Sequence, residues 1–418
     1  MANLTDIQQA IQKANLAGWL LYDFRGQNPI ALHVARLESS GTRRWFLWIP
    51  AQGQPHWLIH AIEGNTFRQV SPDMIGTTEK YVSWQELSQK IGRMTHSSGD
   101  EGPSDGATRR IAMEYSPFGA IPYVSKVDAG IKEMVEEATG AEIVSSADLV
   151  QLVQAVLTPE QVTSHKQAAQ ICLDAKDLAF SFVRESLLAG HSISEYDVQS
   201  MLMEHFAKNQ MDVDHPPIVA VNANAADPHY SPDANHHSPI QEGDMLLMDI
   251  FARQSNSRQD CFGDVTWTAF CGKEVPQKVQ AVFRAVAASR DRAVSFIQEK
   301  LDNGEIVHGY EVDEASRQIL SDAGYKEGIL HRTGHSLGPA VHFNGVNIDN
   351  LETQDKRTLI PGVLFTVEPG IYLPELNFDN GPTAKGLGIR SEINCFMHAD
   401  RVEVTTLPLQ TELPALLA

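Results

Sequence analysis

The sequence predicts two domains: an α/β domain over residues 1–157 and an α+β domain over residues 158–418. Three observations carry this. The chain has 418 residues, too many for one ordinary domain at roughly 150 residues each. Its first part alternates strand-like and helix-like runs. A strong helix start at Thr158-Pro159-Glu160-Gln161 then opens a second part, where long helices are interspersed with and followed by strand-like segments. With 42% hydrophobic and 21% charged residues the composition is globular. Lys plus Arg total 33 against 53 for Asp plus Glu, a net charge of -20. That balance speaks against binding nucleic acid or an anionic membrane, which need basic surface. No apolar run approaches the ~18 residues of a membrane span. Met1-Ala2-Asn3-Leu4-Thr5-Asp6 lacks a basic and then apolar leader. Cys172, Cys261, Cys271 and Cys395 have no CxxC spacing, which excludes a cysteine zinc site and suits free thiols in a reducing cytoplasm.

The elements follow in order. Gly18-Trp19-Leu20-Leu21-Tyr22, Arg44-Trp45-Phe46-Leu47-Trp48-Ile49 and His56-Trp57-Leu58-Ile59 are strand-like and bounded by Gly and Pro. Residues 97–106 are polar and rich in Gly and Ser, which predicts an exposed loop before the strand-like Arg110-Ile111-Ala112-Met113-Glu114. Residues 131–139 are helical in pattern, with Gly140 as the stop. No clustered chemistry stands out in this part. In the second part, Thr158, Pro159 and Gln161 form an N-cap, an N1 proline and a capping-box partner. Val162, Ala169, Cys172, Leu178 and Phe182 mark that helix up to Gly190. A second helix after Ser194 carries Val198, Leu202 and Phe206. A third, from near Pro276, carries Val279, Phe283, Val286 and Val294. A fourth covers residues 312–323 and stops at Gly324.

Two strands share a plan. Gly243-Asp244-Met245-Leu246-Leu247-Met248-Asp249 and Gly362-Val363-Leu364-Phe365-Thr366-Val367-Glu368 each start with Gly and end with an acid. Two related halves would explain this, and so would chance similarity of two buried strands.

Apolar strands rarely hold carboxylates, because an unpaired buried charge is costly. Four strand-like segments here hold one each: Asp249, Asp264, Glu368 and Glu392. One alone would read as a strand-end residue in water; four together suggest a shared cation. His331-Arg332-Thr333-Gly334-His335-Ser336-Leu337-Gly338 is a Gly-flanked turn followed by His342, and His335 is its nitrogen-ligand candidate. Four carboxylates would balance two divalent ions. A set with oxygen and imidazole but no sulfur favours Mn²⁺, Co²⁺ or Zn²⁺. Such a pair, roughly 4 Å apart, would acidify water and polarise a carbonyl, which is hydrolytic chemistry.

These segments resemble the pita-bread metallopeptidase family of Xaa-Pro aminopeptidases, prolidases and methionine aminopeptidases, from about Thr158 onward. Residues 1–157 resemble the creatinase-type N-terminal domain of its longer members. The resemblance implies a pita-bread catalytic domain, with two pseudo-symmetric halves and a curved antiparallel sheet covered by helices. It implies Asp249, Asp264, His335, Glu368 and Glu392 as ligands of two metal ions, Mn²⁺ foremost, with Glu368 as the proton shuttle. His229, in Asp227-Pro228-His229-Tyr230, and His342 match the histidines that contact substrate and tetrahedral intermediate. Strand alternation puts Arg390 on the face of Glu392, where it could contact substrate, support the site or form a structural ion pair.

Asp249 and Asp264 are further apart than is common in the family, and residues 254–260 read as a long hairpin turn. Asp260 is thus a rival ligand, but Asp264-Val265-Thr266-Trp267-Thr268 fits the family's Asp-x-Thr-x-Thr strand better. Trp267 stands where many relatives have Arg, and Pro339 is unusual after His335. The resemblance implies cleavage before proline, of dipeptides or else of longer peptides. A dipeptidase needs a cation for the substrate carboxylate; Arg332, Lys356, Arg357 and Arg390 are its candidates. The family resemblance further implies a homodimer. Retention of all five ligand positions weighs against a metal-free creatinase-like C–N hydrolase or a binding module, and acids inside apolar strands weigh against a purely structural protein.

Overall fold

The computed structural model describes residues 3–67, 72–96, 108–378 and 385–418. The loop expected over residues 97–106 lies outside them. The chain forms two compact units, Met1–Gln154 and Ala155–Ala418, and a π-helical turn over Gln151–Ala155 carries it across that boundary.

Among the described residues the first unit is built on six strands: β1 (Gly18–Asp23), β2 (Trp45–Pro50), β3 (His56–His60), β4 (Thr77–Tyr81), β5 (Arg110–Met113) and β6 (Glu142–Ser145). Their order in the sheet is β4-β3-β2-β1-β5-β6. The β1–β2 and β2–β3 pairs are antiparallel and the others parallel. Helices α1 (Leu4–Lys13), α2 (Pro29–Ala35), α3 (Trp84–Thr95), α4 (Ala129–Thr139) and α5 (Ala147–Val150) accompany the sheet. Side chains alternate along β1 and β2. Trp19, Leu21, Trp45 and Leu47 pack with Ile7, Ile11 and Val34, while Leu20, Tyr22, Phe46 and Trp48 pack with Leu87, Ile91 and Val135. Burial on both faces explains why these strands read as unbroken apolar runs. Gly140 ends α4 in the left-handed conformation, φ 65°.

Among the described residues the second unit has four α-helices: α6 (Pro159–Leu188), α7 (Glu195–Lys208), α8 (Gln277–Asp302) and α9 (Gly309–Asp322). Thr158 and Gln161 form the capping box at α6. The buried face of α6 agrees with the expected one at Ala169 and Cys172 and departs from it at Leu178. Ala168, Ala169, Cys172, Ala175, Ala179 and Val183 are buried, whereas Leu178 is 47% exposed. A stripe of small residues lets the helix lie close on a sheet, and size alone was a poor guide to which face that would be.

Its described residues also form ten strands: β7 (Met211–Asp212), β8 (Ile218–Val221), β9 (Met245–Gln254), β10 (Gly263–Phe270), β11 (Ser336–Leu337), β12 (Leu364–Val367), β13 (Gly370–Leu373), β14 (Leu387–Arg390), β15 (Ile393–Met397) and β16 (Val402–Val404). They form one sheet around β9 (β10-β9-β7, with β8 also on β9), a second in the order β11-β12-β15-β16, and the pair β13–β14. All of these pairings are antiparallel. Asn394 on β15 stitches the sheets together. Its Oδ1 accepts from the Asp264 N–H at 3.0 Å and its Nδ2 donates to the Asp264 carbonyl at 2.6 Å. The two Gly-led strands share their turn, Gly243 at φ 92° and Gly362 at φ 93°. The four cysteines are free and buried.

Two buried titratable groups, one in each unit, respond oppositely to pH. In the first, Trp19 Nε1, Asn28 Nδ2 and Ser146 Oγ donate to Glu114 at 2.6, 2.8 and 3.1 Å. Burial outweighs these bonds and pushes the carboxyl up to about 7. In the second, burial lowers His165 to about 4; its Nδ1 donates to the Phe262 carbonyl at 2.7 Å. A raised acid binds its proton more tightly when folded, so its contribution is present below the unfolded pKa and lost as pH rises towards 7. The lowered histidine contributes stability above its unfolded pKa that is lost as pH falls towards 4. Five of the six tryptophans (19, 45, 48, 57 and 84) lie in the first unit. Denaturant unfolding followed by tryptophan emission should therefore show that unit losing up to roughly 3 kcal/mol as pH rises from about 4.5 to about 7. Glu114→Gln should flatten this slope, and an unchanged slope in the variant would assign it to another group.

Candidate metal centre

Asp249 sits mid-strand in β9, directly opposite Thr266 on β10. Asp264, two residues before Thr266, shares its face. His335 precedes β11, held by hydrogen bonds on both sides of its peptide: its N–H donates to Thr366 Oγ1 at 2.9 Å, and its carbonyl accepts from Thr366 N at 2.8 Å. Gly334 makes that approach possible, since a Cβ there would lie 2.1 Å from the Thr366 carbonyl oxygen. Glu368 follows β12, with its N–H on the Thr333 carbonyl at 2.7 Å. Glu392 sits between β14 and β15, with its N–H on the Thr266 carbonyl at 3.2 Å.

These side chains converge. Ligand atoms of Asp264, His335 and Glu392 lie within 4.8 Å of one another, and all three residues are buried. His335 Nε2 is 3.7 Å from Asp264 Oδ2 and 3.2 Å from Glu368 Oε1. Asp249 is turned to Arg390, whose Nη2 bonds its Oδ2. Thr266 Oγ1 donates to Glu392 Oε2 at 2.7 Å. The His342 ring stands edge-on to His335 with centroids 4.3 Å apart. His229 is exposed, near enough for its charge to bear on His342. The rival acid Asp260 instead accepts the Ser257 N–H at 2.7 Å in the hairpin turn. Trp267 faces away from the acids and carries the Lys176 ammonium 4.0 Å over its ring. Of the four candidate cations, Arg357 is bound to Asp355 and to the carbonyls of Asn344 and Gly345, and Lys356 is exposed. Arg332 lies 3.9 Å from Asp349 and 3.8 Å from Glu352.

The site's electrostatics follow from burial. Asp264 is pushed well above the carboxylate range by desolvation and then by Asp249 and Glu368, and Glu392 by desolvation and then by Asp264, Glu368 and Asp249. Desolvation also raises Glu368, against the pull of Arg390 and His331. His335 is lowered by desolvation, then by His342 and Arg332, so its ring is neutral and can donate a lone pair. Four carboxylates meet one guanidinium within the cluster, and the surplus negative charge with a neutral imidazole fits a divalent cation bound by oxygen and nitrogen. Sequence reasoning passed over Thr266, Tyr372 and His331. Thr266 was within reach, since period-two alternation puts it beside Asp264; nothing local marks Tyr372.

This fold is of the pita-bread type, and the cluster is a donor set suited to a divalent cation. The chain belongs to metallopeptidase family M24, whose description matches residues 163–399, and the family implies divalent metal ions. Among curated proteins it is similar to the Xaa-Pro dipeptidase of Lactobacillus delbrueckii subsp. lactis, 23% identical over 228 residues, 54% of this chain and 56% of the relative. The chain thus spans little more than half the length of that relative. Among solved structures it resembles the dipeptidase PepE from Mycobacterium ulcerans, with TM-score 0.67, 21% identity and coverage of 99% of this chain and 96% of the other. It also resembles the X-Pro aminopeptidase from Thermotoga maritima, with TM-score 0.60, 18% identity and coverage of 99% and 100%. Among the described residues no helix is long and apolar enough to cross a membrane.

The crowded acids give a testable pH response. Folded-state pKa values above the unfolded ones mean stability present at low pH and lost as pH rises. Melting of the chelated protein should fall as pH rises above the ordinary carboxylate range. Asp264→Asn should melt higher than the parent at the alkaline end, and Mn²⁺ should raise the parent more than the variant. Equal melting of both chelated proteins at high pH would mean that the acids do not repel.

Proposed function

We propose that this protein is a dinuclear metallopeptidase that hydrolyses the bond before proline, with Xaa-Pro dipeptides as preferred substrates. The observation that carries it is the convergence of Asp264, His335, Glu368 and Glu392 from separate elements in an M24 chain, with Asp249 joined to Glu392 through the Thr266 hydroxyl. Residues 1–157 act as its creatinase-like domain and residues 158–418 as its catalytic domain. In this reading the five side chains hold two divalent ions, Mn²⁺ foremost with Co²⁺ or Zn²⁺ as alternatives. The ions supply Lewis-acid polarisation of the carbonyl and acidify water.

The chain's own residues do the rest. Glu368, raised by burial, takes the proton from the attacking water and delivers it to the leaving proline nitrogen as the C–N bond breaks. His342, beside His335, and His229 at the exposed edge contact the substrate carbonyl and the tetrahedral intermediate. Arg390 holds Asp249 by direct pairing and borders the substrate. Among the candidate cations for a dipeptide carboxylate, Arg332 is favoured, because its charge bears on His335, His342 and Glu368. The likeness to a structure named as an X-Pro aminopeptidase keeps longer peptides as the second reading. Buried free thiols suit a cytoplasmic enzyme, and a homodimer completes the proposal.

Two measurements test it. With Mn²⁺ supplied, an Xaa-Pro dipeptide should be cleaved and the matching Xaa-Pro-Yaa tripeptide should not. Tripeptide cleavage would turn the reading to an aminopeptidase, and cleavage of neither would remove proline specificity. Asp249→Ala, His335→Ala and Glu368→Ala should fold and lose turnover, Glu368→Ala by roughly 10²–10⁴-fold in kcat. A folded variant with near-parental kcat would overturn that residue's role.

A further inference from the structure

A line of hydrogen bonds runs from the acid cluster to a backbone carbonyl, and its direction is fixed by that end. His331 Nδ1 lies 2.7 Å from the Arg332 carbonyl oxygen. A carbonyl only accepts, so Nδ1 carries the proton. In the neutral ring Nε2 is then an acceptor, and it lies 2.7 Å from the Tyr372 hydroxyl. Tyr372 therefore donates to His331, which leaves its oxygen as the acceptor for Arg390 Nη1 at 3.3 Å. The guanidinium is thereby held at three points: Nη1 on Tyr372, Nε on Thr266 Oγ1 at 2.8 Å, and Nη2 on Asp249 Oδ2. Because Thr266 Oγ1 accepts from Arg390, its own proton is free for Glu392 Oε2, 2.7 Å away.

The backbone makes room for this line. Arg390 on β14 pairs with Gly370 on β13, and Tyr372 pairs with Gly388. Tyr372 is thus diagonal to Arg390 and reaches it by leaning over Gly370. A Cβ at Gly370 would lie 2.6 Å from the Tyr372 hydroxyl.

We propose that His331 is a positioning residue which, through Tyr372 and Arg390, sets the carboxylates of Asp249 and Glu392 for metal binding. It touches neither acid itself. The proposal rests on the reading of the cluster as a metal centre and adds a residue outside the ligand set.

The test is Mn²⁺ binding by calorimetry without substrate, so that peptide specificity does not enter. His331→Leu and Tyr372→Phe should each weaken binding roughly 10-fold, the scale of partners that orient metal ligands. Because they interrupt one line, the double variant should bind within about twofold of either single one. His331→Gln, which keeps a donor and an acceptor, should recover affinity to within about threefold of the parent. Thermal melting of the metal-free variants checks folding, and should His331→Leu not fold, Tyr372→Phe and His331→Gln carry the test. If the parent binds Mn²⁺ and the folded variants bind it equally well, or the two losses multiply, the relay is overturned while the metal centre stands. If the parent binds no divalent ion, the metal centre and the relay fall together.

Discussion

Mutual repulsion among four buried carboxylates is the constraint around which the second unit is arranged. A charged acid survives inside a fold only with a compensating charge and with its lone pairs engaged. Asp249 takes a guanidinium, Glu392 and Glu368 take threonine hydroxyls, and Asp264 is left with its backbone fixed by Asn394. That distribution is uneven. Asp264 and Glu392, which close on His335, are the acids whose protonation burial favours most, so a cation among the three relieves the largest repulsion. Rigid strands are needed because such a centre tolerates little displacement of its ligands. The second unit supplies them as antiparallel sheets linked by side chain to backbone bonds.

How much of this the sequence discloses depends on whether a signal is local. Four acids within apolar segments are visible because each conflicts with its own neighbours, and the Gly-flanked histidine is visible because the turn is local. The caps at Thr158 and Ser194 and the stops at Gly140 and Gly324 are read from a few adjacent residues, and helices stand there. The face of α6 is different. Which side of a helix is buried depends on what lies across from it, and Leu178 satisfies the period while pointing to solvent. Tyr372 is a further case. As one aromatic in the short strand Gly370–Leu373 it reads as core, and only pairing with β14 brings its hydroxyl to Arg390. The sequence boundary at 157 and the compact units' boundary at 154 differ by a π-helical turn, which has no periodic signature of its own.

The likeness between the two Gly-led strands gains content from the structure. Gly243 and Gly362 adopt nearly the same left-handed turn, and each feeds an antiparallel strand that delivers an acid. The acids do not arrive alike. Asp249 lies within its strand, while Glu368 falls one residue past the end of its own. One side of the centre is therefore built on continuous ladder hydrogen bonds. The other rests on a turn, where the Thr366 hydroxyl and the Thr333 carbonyl replace them.

The spacing of Asp264 and Arg390 has a consequence for the chain as it emerges during synthesis. Arg390 follows Asp264 by 126 positions (390 − 264). The hairpin of β9 and β10 is therefore exposed, with two aspartates, well before its counter-charge and its Asn394 stitch exist. The first unit has both of its cores complete by then and can fold as a nascent domain. The second unit must wait for β14 and β15, and over that interval α6, already made, is what can cover its apolar hairpin.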